Sequence, residues 1–342
     1  MKKMMYHLNL LLLVSIWTGP VQASALQQYK SNFVLSSYAK TKYPMVFVHG
    51  FGLGFNRIGT DRIGLDYWYQ IPQDLSRHGA RVFSAELSAV ASNELRGEQL
   101  LMQIDEVLAL TGHKKVNLIG HSQGGPTIQY IEGVAPYKAA SLTAIAGAMQ
   151  GTPVFVNASK TPLLEPFIHA IGTILGHSMN LVTGNQYPVS MIEALQAMNS
   201  EAIQAFNMKY GSSAIPKNCQ SQGSKLTPNG IYHYSWMGNR QTTNPLDAIE
   251  STVVTLGGSF LKGEANDGAL PLCSGRYGQI IRQDYAHNHF DEVNQFFGIL
   301  GRFAQDPIAL YRQHANMPTG SNYKAYKSLI FINRSSLLIK KT

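Results

Sequence analysis

The unbroken apolar run Met45-Val-Phe-Val48 ends at His49-Gly50-Phe51-Gly52, which predicts a short buried strand closing on a turn. Arg81–Leu87 predicts a second strand. Over Asn93–Thr111 the period changes. Leu95, Leu100, Leu101, Ile104, Val107 and Leu108 recur at helical spacing, with Asn93 placed to cap the start and Gly112 to stop the helix. Val116–Gly120 predicts a third strand, Gln123–Val134 the helix after it, and Leu142–Ala146 a fourth strand. Strands alternating with helices predict an α/β protein whose mostly parallel sheet is covered on both faces.

Further along, Leu164, Phe167, Ile168, Ile171, Ile174 and Leu175 share one face of a helix predicted over Leu163–Val182, interrupted by Gly172 and Gly176. Such a helix packs on a core or serves as a movable lid. The aromatic stretch Gly230–Met237 suits another strand, Glu264–Gly268 a turn, and Asn288–Gln295 the opening of a late helix.

The first residues follow a different logic. Lys2 and Lys3 precede the apolar Leu8–Trp17, and small residues follow at Ala23 and Ala25, the layout of a secretory signal peptide cut near Ala25. That run is too short to span a bilayer, which takes about 20 residues. In an exported chain the only two cysteines, Cys219 and Cys273, predict a disulfide. The formal charge of +8 lies at the ends: Lys2 and Lys3, then Lys324, Lys327, Arg334, Lys340 and Lys341. The body between is close to neutral, so the charge does not imply a nucleic-acid partner. With 44% hydrophobic and 14% charged residues and no internal repeat, the chain has the material for one large folded domain.

The chemistry begins at Gly120-His-Ser-Gln-Gly-Gly125. G-x-S-x-G between a strand and a helix is the pattern of a nucleophile elbow, a tight turn that tolerates no bulky neighbours and lifts Ser122 above the strand ends. A serine hydroxyl needs a histidine base, and the histidine needs a carboxylate to fix its tautomer. The downstream acids include Asp247, Asp267, Asp284 and Asp291; the late histidines are His287, His289 and His314. Asp267, in a turn, is well placed, while spacing alone leaves His287 and His289 open. An oxyanion hole takes two backbone N–H groups, one from Gln123 after the serine and one from Phe51 in the loop after the first strand.

These residues lie within longer stretches: YPMVFVHGFG (43–52), LDYWYQIP (65–72), ELRGEQLL (94–101), KVNLIGHSQGGPT (115–127), ANDG (265–268), NHFDEVNQFFG (288–298) and YRQHAN (311–316). In this order they resemble the bacterial true lipases of family I, the Pseudomonas and Burkholderia type, most like subfamily I.1. The resemblance implies an α/β-hydrolase fold over 26–316 with a lid at about 160–185, and hydrolysis of triacylglycerol esters at lipid–water interfaces. It implies Ser122 as nucleophile, Asp267 as acid and His289 as base, with Phe51 and Gln123 as oxyanion donors. It further implies one structural Ca²⁺, held by the carboxylates of Asp247 and Asp291 and the main-chain carbonyls of Gln295 and Ile299, a set of hard oxygens. Cys219 and Cys273 match the family's bridge. Members with that bridge use a dedicated membrane-bound foldase and a type II export route, so secretion through the periplasm is implied. The sequence departs from the family at Ala148-Met-Gln-Gly-Thr152, where Pro-His-Lys-Gly-Ser is usual, and the basic tail 317–342 has no counterpart. Alternatives on the same fold are a carboxylesterase, an acyltransferase or a non-catalytic binding protein.

Overall fold

The structure, a computed structural model, describes residues 26–59, 64–154, 157, 165–244, 248–261 and 263–317. The expected leader (1–25), the tail from 318 onward, residues 160–164 of the expected lid, and Asp247 lie outside them.

Nine strands and nine helices are described: β1 Leu26–Tyr29, β2 Met45–Val48, β3 Arg57–Gly59, β4 Gly64–Asp66, α1 Ile71–Arg77, β5 Val82–Ala85, α2 Asn93–Thr111, β6 Val116–His121, α3 Gly124–Val134, β7 Ala139–Ile145, α4 Glu165–Thr183, α5 Met191–Met198, α6 Ser200–Lys209, β8 Tyr232–Gly238, α7 Ala248–Ser259, β9 Gln279–Tyr285, α8 Gln295–Gly298 and α9 Pro307–Ala315. Seven strands form one sheet in the order β1-β5-β2-β6-β7-β8-β9, parallel except for β1. β3 and β4 form a separate hairpin.

The run Met45–Val48 is apolar throughout because both faces of β2 are buried. Val46 and Val48 join one core with Leu118, Leu100, Ile104 and Ile128, under α2 and α3. Met45 and Phe47 join the opposite core with Trp68, Ile71, Leu75 and Tyr311, under α1 and α9. The alternation is the two-residue period of a strand covered on both sides.

From β2 the chain runs to β5 on one side, then crosses to β6 on the other. A crevice opens beyond the carboxyl ends of strands where the order reverses in this way. His49 and Ser122 both lie there, just past β2 and β6.

Two sequence expectations change. The cap of α2 is Ser92, whose Oγ accepts the Leu95 N–H at 3.3 Å. Asn93 is the first helical residue, and its side chain bonds the Ala197 carbonyl instead. The expected helix over Asn288–Gln295 is a turn followed by a 3₁₀ turn at Asp291–Val293. There the Asn288 side chain accepts the N–H groups of Phe290 and Asp291, and Asn294 has φ +58°. Such local side-chain bonds compete with helical ones.

Candidate active site

Ser122 has φ +56°, a conformation rare for serine, and sits half-buried at the end of β6. The turn is fixed on both sides: the Ser122 N–H donates to the Ile145 carbonyl at 3.1 Å, and its carbonyl accepts the N–H groups of Gly125 and Ala148, each at 3.0 Å. A Cβ at Gly120 would lie 2.2 Å from the Gly124 oxygen, and one at Gly124 would lie 2.3 Å from the Val48 oxygen. Both glycines of the motif are therefore demanded by backbone contact. The Gln123 side chain is fully buried, donating to the Ala91 carbonyl and Asn93 Oδ1, so it holds the start of α3 against the loop before α2.

Of the two histidines that spacing alone leaves open, His289 is the one that meets Asp267. His289 Nδ1 lies 2.8 Å from Asp267 Oδ2, and both residues are buried. His287 instead places Nε2 2.6 Å from the Gln305 carbonyl, and burial lowers its pKa to about 4. His314 bonds Thr143 inside the second core and is lowered by burial to the same value. Among the acids, Asp284 is exposed and paired with Arg282. The other oxygen of Asp267 accepts the N–H groups of Ala269 (2.9 Å) and Leu270 (2.7 Å). A carboxylate that accepts from Nδ1 fixes the ring proton there and leaves Nε2 as the basic nitrogen. The ring of His289 also packs beside that of His121, the neighbour of Ser122, with centroids 4.5 Å apart.

The loop carrying Phe51 is held by two residues that sequence reasoning missed. His49 Nε2 accepts the Leu87 N–H at 3.0 Å, so its proton is on Nδ1, which lies 2.8 Å from the Gly50 carbonyl. Burial lowers its pKa to about 3, keeping the ring neutral. In a trans peptide the carbonyl and the next N–H point opposite ways, so anchoring the Gly50 oxygen sets the direction of the Phe51 N–H. Below the loop, the fully buried Arg96 donates to the carbonyls of His49 and Ser88 and to Thr127 Oγ1. Arg96 lies in the stretch 94–101 and His49 in 43–52; a charge inside an apolar helix face is the available signal. A third missed residue is Glu292. It is fully buried and accepts the Gly238 N–H, and desolvation, reinforced by Asp267, pushes its pKa well above the usual range.

The chain is similar to known proteins. A triacylglycerol lipase of Vibrio cholerae is 40% identical over 314 residues, covering 88% of this chain and 93% of that protein. The chain belongs to the bacterial triacylglycerol lipases. A relative of that name from Burkholderia plantarii is 34% identical, over 82% of this chain and 87% of the relative. The alpha/beta hydrolase fold family matches residues 43–201. The crystal structure of Staphylococcus hyicus lipase superposes with a TM-score of 0.55 at 17% identity, covering 90% of this chain and 98% of that one, and so shares the fold.

In this lipase Cys219 and Cys273 are bonded, and Cys273 lies six residues beyond Asp267 on the same loop. Of the expected calcium ligands, Asp291, Gln295 and Ile299 are among the described residues. Asp291 is buried, with Oδ2 accepting the Asn288 N–H at 3.0 Å, while Gln295 is buried and Ile299 exposed. Asp247 is not described, but its flanks are tied to the same region: Asn244 donates to the Leu300 carbonyl at 2.8 Å, and Asn288 donates to Glu250 and Thr243. The two segments are thus adjacent, and the donor set of carboxylates and carbonyls fits Ca²⁺. His121, His289 and Glu292 bring possible ligand atoms within 4.8 Å of one another. Both nitrogens of His121 and Nδ1 of His289 are already hydrogen-bonded, so this group is a polar cluster of the candidate site.

The expected lid corresponds to α4. Its two glycines are contact points: a Cβ at Gly172 would meet Met191 Sδ at 2.1 Å, and one at Gly176 would meet Val189 at 2.4 Å. Met179 of α4 packs on the same apolar cluster as Phe51, built on Ala89, Val90, Met191 and Ala194. Among the described residues, no helix is long and apolar enough to cross a membrane.

Proposed function

We propose that this chain is a secreted triacylglycerol lipase working through an acyl-enzyme on Ser122, with His289 as base and Asp267 as its orienting acid. The observation that carries the reading is the 2.8 Å bond from His289 to Asp267, with the ring packed beside the residue that precedes a serine in left-handed conformation.

His289 Nε2 takes the Ser122 proton as Oγ attacks the ester carbonyl carbon. The carbonyl oxygen becomes an oxyanion and accepts hydrogen bonds from the N–H groups of Phe51 and Gln123. As the tetrahedral intermediate collapses, the C–O bond to the alcohol breaks and the alcohol leaves with the proton from His289. Water then attacks the acyl carbon and gives a proton to the same nitrogen; the bond from Oγ to the acyl carbon breaks, Oγ takes that proton back from His289, and the fatty acid leaves. Asp267 stabilises the imidazolium in both halves.

Asp247, Asp291 and the carbonyls of Gln295 and Ile299 would hold one Ca²⁺, whose charge would fix the loop after His289. The α4 helix, sharing an apolar cluster with Phe51, would be the lid, moving when the enzyme meets lipid. The basic and apolar start of the chain and the disulfide support export through an oxidising compartment with a foldase partner.

Ser122→Ala is expected to reduce hydrolysis of p-nitrophenyl butyrate to background and to abolish labelling by a fluorophosphonate. Full turnover in that variant would remove the assignment. Rates on tributyrin emulsion above those on the monomeric ester would support the lid, and a drop in thermal midpoint with EDTA the calcium site.

A further inference from the structure

Tyr67 lies just after β4 and is buried against the active site. Its hydroxyl oxygen accepts the Gly50 N–H at 2.8 Å and lies 2.6 Å from His121 Nδ1. The Gly50 N–H can only donate, so the single phenol proton is directed at Nδ1. With Nδ1 accepting, the neutral His121 ring carries its proton on Nε2. That nitrogen is 3.0 Å from the His289 carbonyl, which can only accept. Burial keeps the phenol protonated and, with His289 adjacent, keeps the His121 ring neutral. Each link therefore has one polarity: Gly50 N–H to Tyr67 O–H, Tyr67 O–H to His121, and His121 Nε2–H to the His289 carbonyl.

The chain of bonds joins three segments that sequence keeps far apart: the oxyanion loop after β2, the elbow after β6 and the base loop after β9. There is no slack where it begins. A Cβ at Gly50 would lie 2.9 Å from the Tyr67 hydroxyl and 2.7 Å from Ser122 Cβ.

We infer that Tyr67 and His121 are positioning residues that hold the oxyanion loop and the histidine base in one frame around Ser122. The role is carried through Gly50 and His289, and it rests on the triad proposed above. A residue that only fills space lowers the amount of folded protein. One that sets alignment lowers turnover per folded molecule and leaves substrate binding in place.

The test uses the full-length chain and monomeric p-nitrophenyl butyrate, with active sites counted by fluorophosphonate and folding checked by thermal unfolding. Tyr67→Phe is expected to lower kcat roughly tenfold with KM changed less than about twofold. At position 121 an asparagine amide reaches the place of Nδ1, and a glutamine amide the place of Nε2. His121→Gln keeps the donor to His289 and is expected to retain more kcat than His121→Asn, which loses it. Tyr67→Phe combined with His121→Asn is expected to lose less than the product of the single losses, because both cut one chain of bonds. Wild-type kcat in Tyr67→Phe, equal kcat in the two His121 variants, or losses that multiply would each overturn the inference. Full activity in Ser122→Ala would instead overturn the triad, whatever the other variants do.

Discussion

His289 and Asp267 are bonded twice. The side chains meet at 2.8 Å, and the His289 N–H donates to the Asp267 carbonyl at 2.9 Å. The second bond does not depend on the carboxylate, so the two loops remain joined when the acid side chain is changed. Substitutions at Asp267 therefore report on chemistry more than on loop position.

The other oxygen of that carboxylate decides how an amide would sit at this position. Oδ1 accepts two backbone N–H groups, from Ala269 and Leu270. In Asp267→Asn the amide oxygen must stay there, so the NH₂ faces His289 Nδ1 and forces the ring proton onto Nε2. The base is then blocked. A loss of about 10³-fold or more in kcat is expected, larger than for Asp267→Ala, which leaves Nδ1 free to bond water. Steady-state kinetics on p-nitrophenyl butyrate decide it; an alanine variant slower than the asparagine variant would contradict the argument.

His49→Phe removes the bond that turns the Gly50 peptide. The Phe51 N–H then loses its fixed direction, and kcat is expected to fall by about 10²-fold, the scale of one oxyanion donor. KM on a soluble ester should change little. A rise in KM at constant kcat would mean that His49 shapes binding instead.

Glu86 gives a pH dependence of stability. It is buried, accepts bonds from Asn56 and Asn185, and desolvation raises its pKa from 4.5 to about 7. Between these values the folded chain holds a proton that the unfolded chain has released. Stability therefore falls as pH rises from 4.5 to 7, by about 3 kcal/mol from this group, and is level beyond. Glu86→Gln should flatten that slope in urea unfolding followed between pH 4.5 and 8. An unchanged slope would remove Glu86 as its source.

Breaking the Cys219–Cys273 bond by Cys219→Ser with Cys273→Ser frees a loop of 54 residues' separation. On the chain-entropy scale the loss is about 4 kcal/mol. Reductant should lower the urea midpoint of the unmodified chain and leave that of the double variant unmoved. Equal midpoints for the two proteins without reductant would show the bond to be energetically idle.

The turn around Ser122 is legible in the sequence because its signals are local: an apolar strand, two glycines without room for Cβ, and a following helix all fall within one short stretch. The pairing of His289 with Asp267 is only half legible. His287 and His289 differ by two residues, and what separates them is the distant partner each meets, Gln305 or Asp267. Tyr67 and Arg96 lie in the stretches 65–72 and 94–101, but sequence alone gives neither a task, because their bonds reach residues far away in sequence. The late helix failed for a local reason: Asn288 turned its side chain onto its own backbone.

Arg96 is a buried cation whose three described bonds all end on uncharged acceptors. Burial lowers its pKa to about 9, so it remains charged at neutral pH. Folding gains little from such a group, since a hydrophobic side chain of similar volume is often neutral or stabilising at a buried charged site. On the mechanism proposed above, its contribution comes only at each turnover, when the loop it props is ready before the ester arrives. Durability and speed thus pull against each other at this one position, and selection for a hardier enzyme in the absence of substrate would be free to discard the arginine.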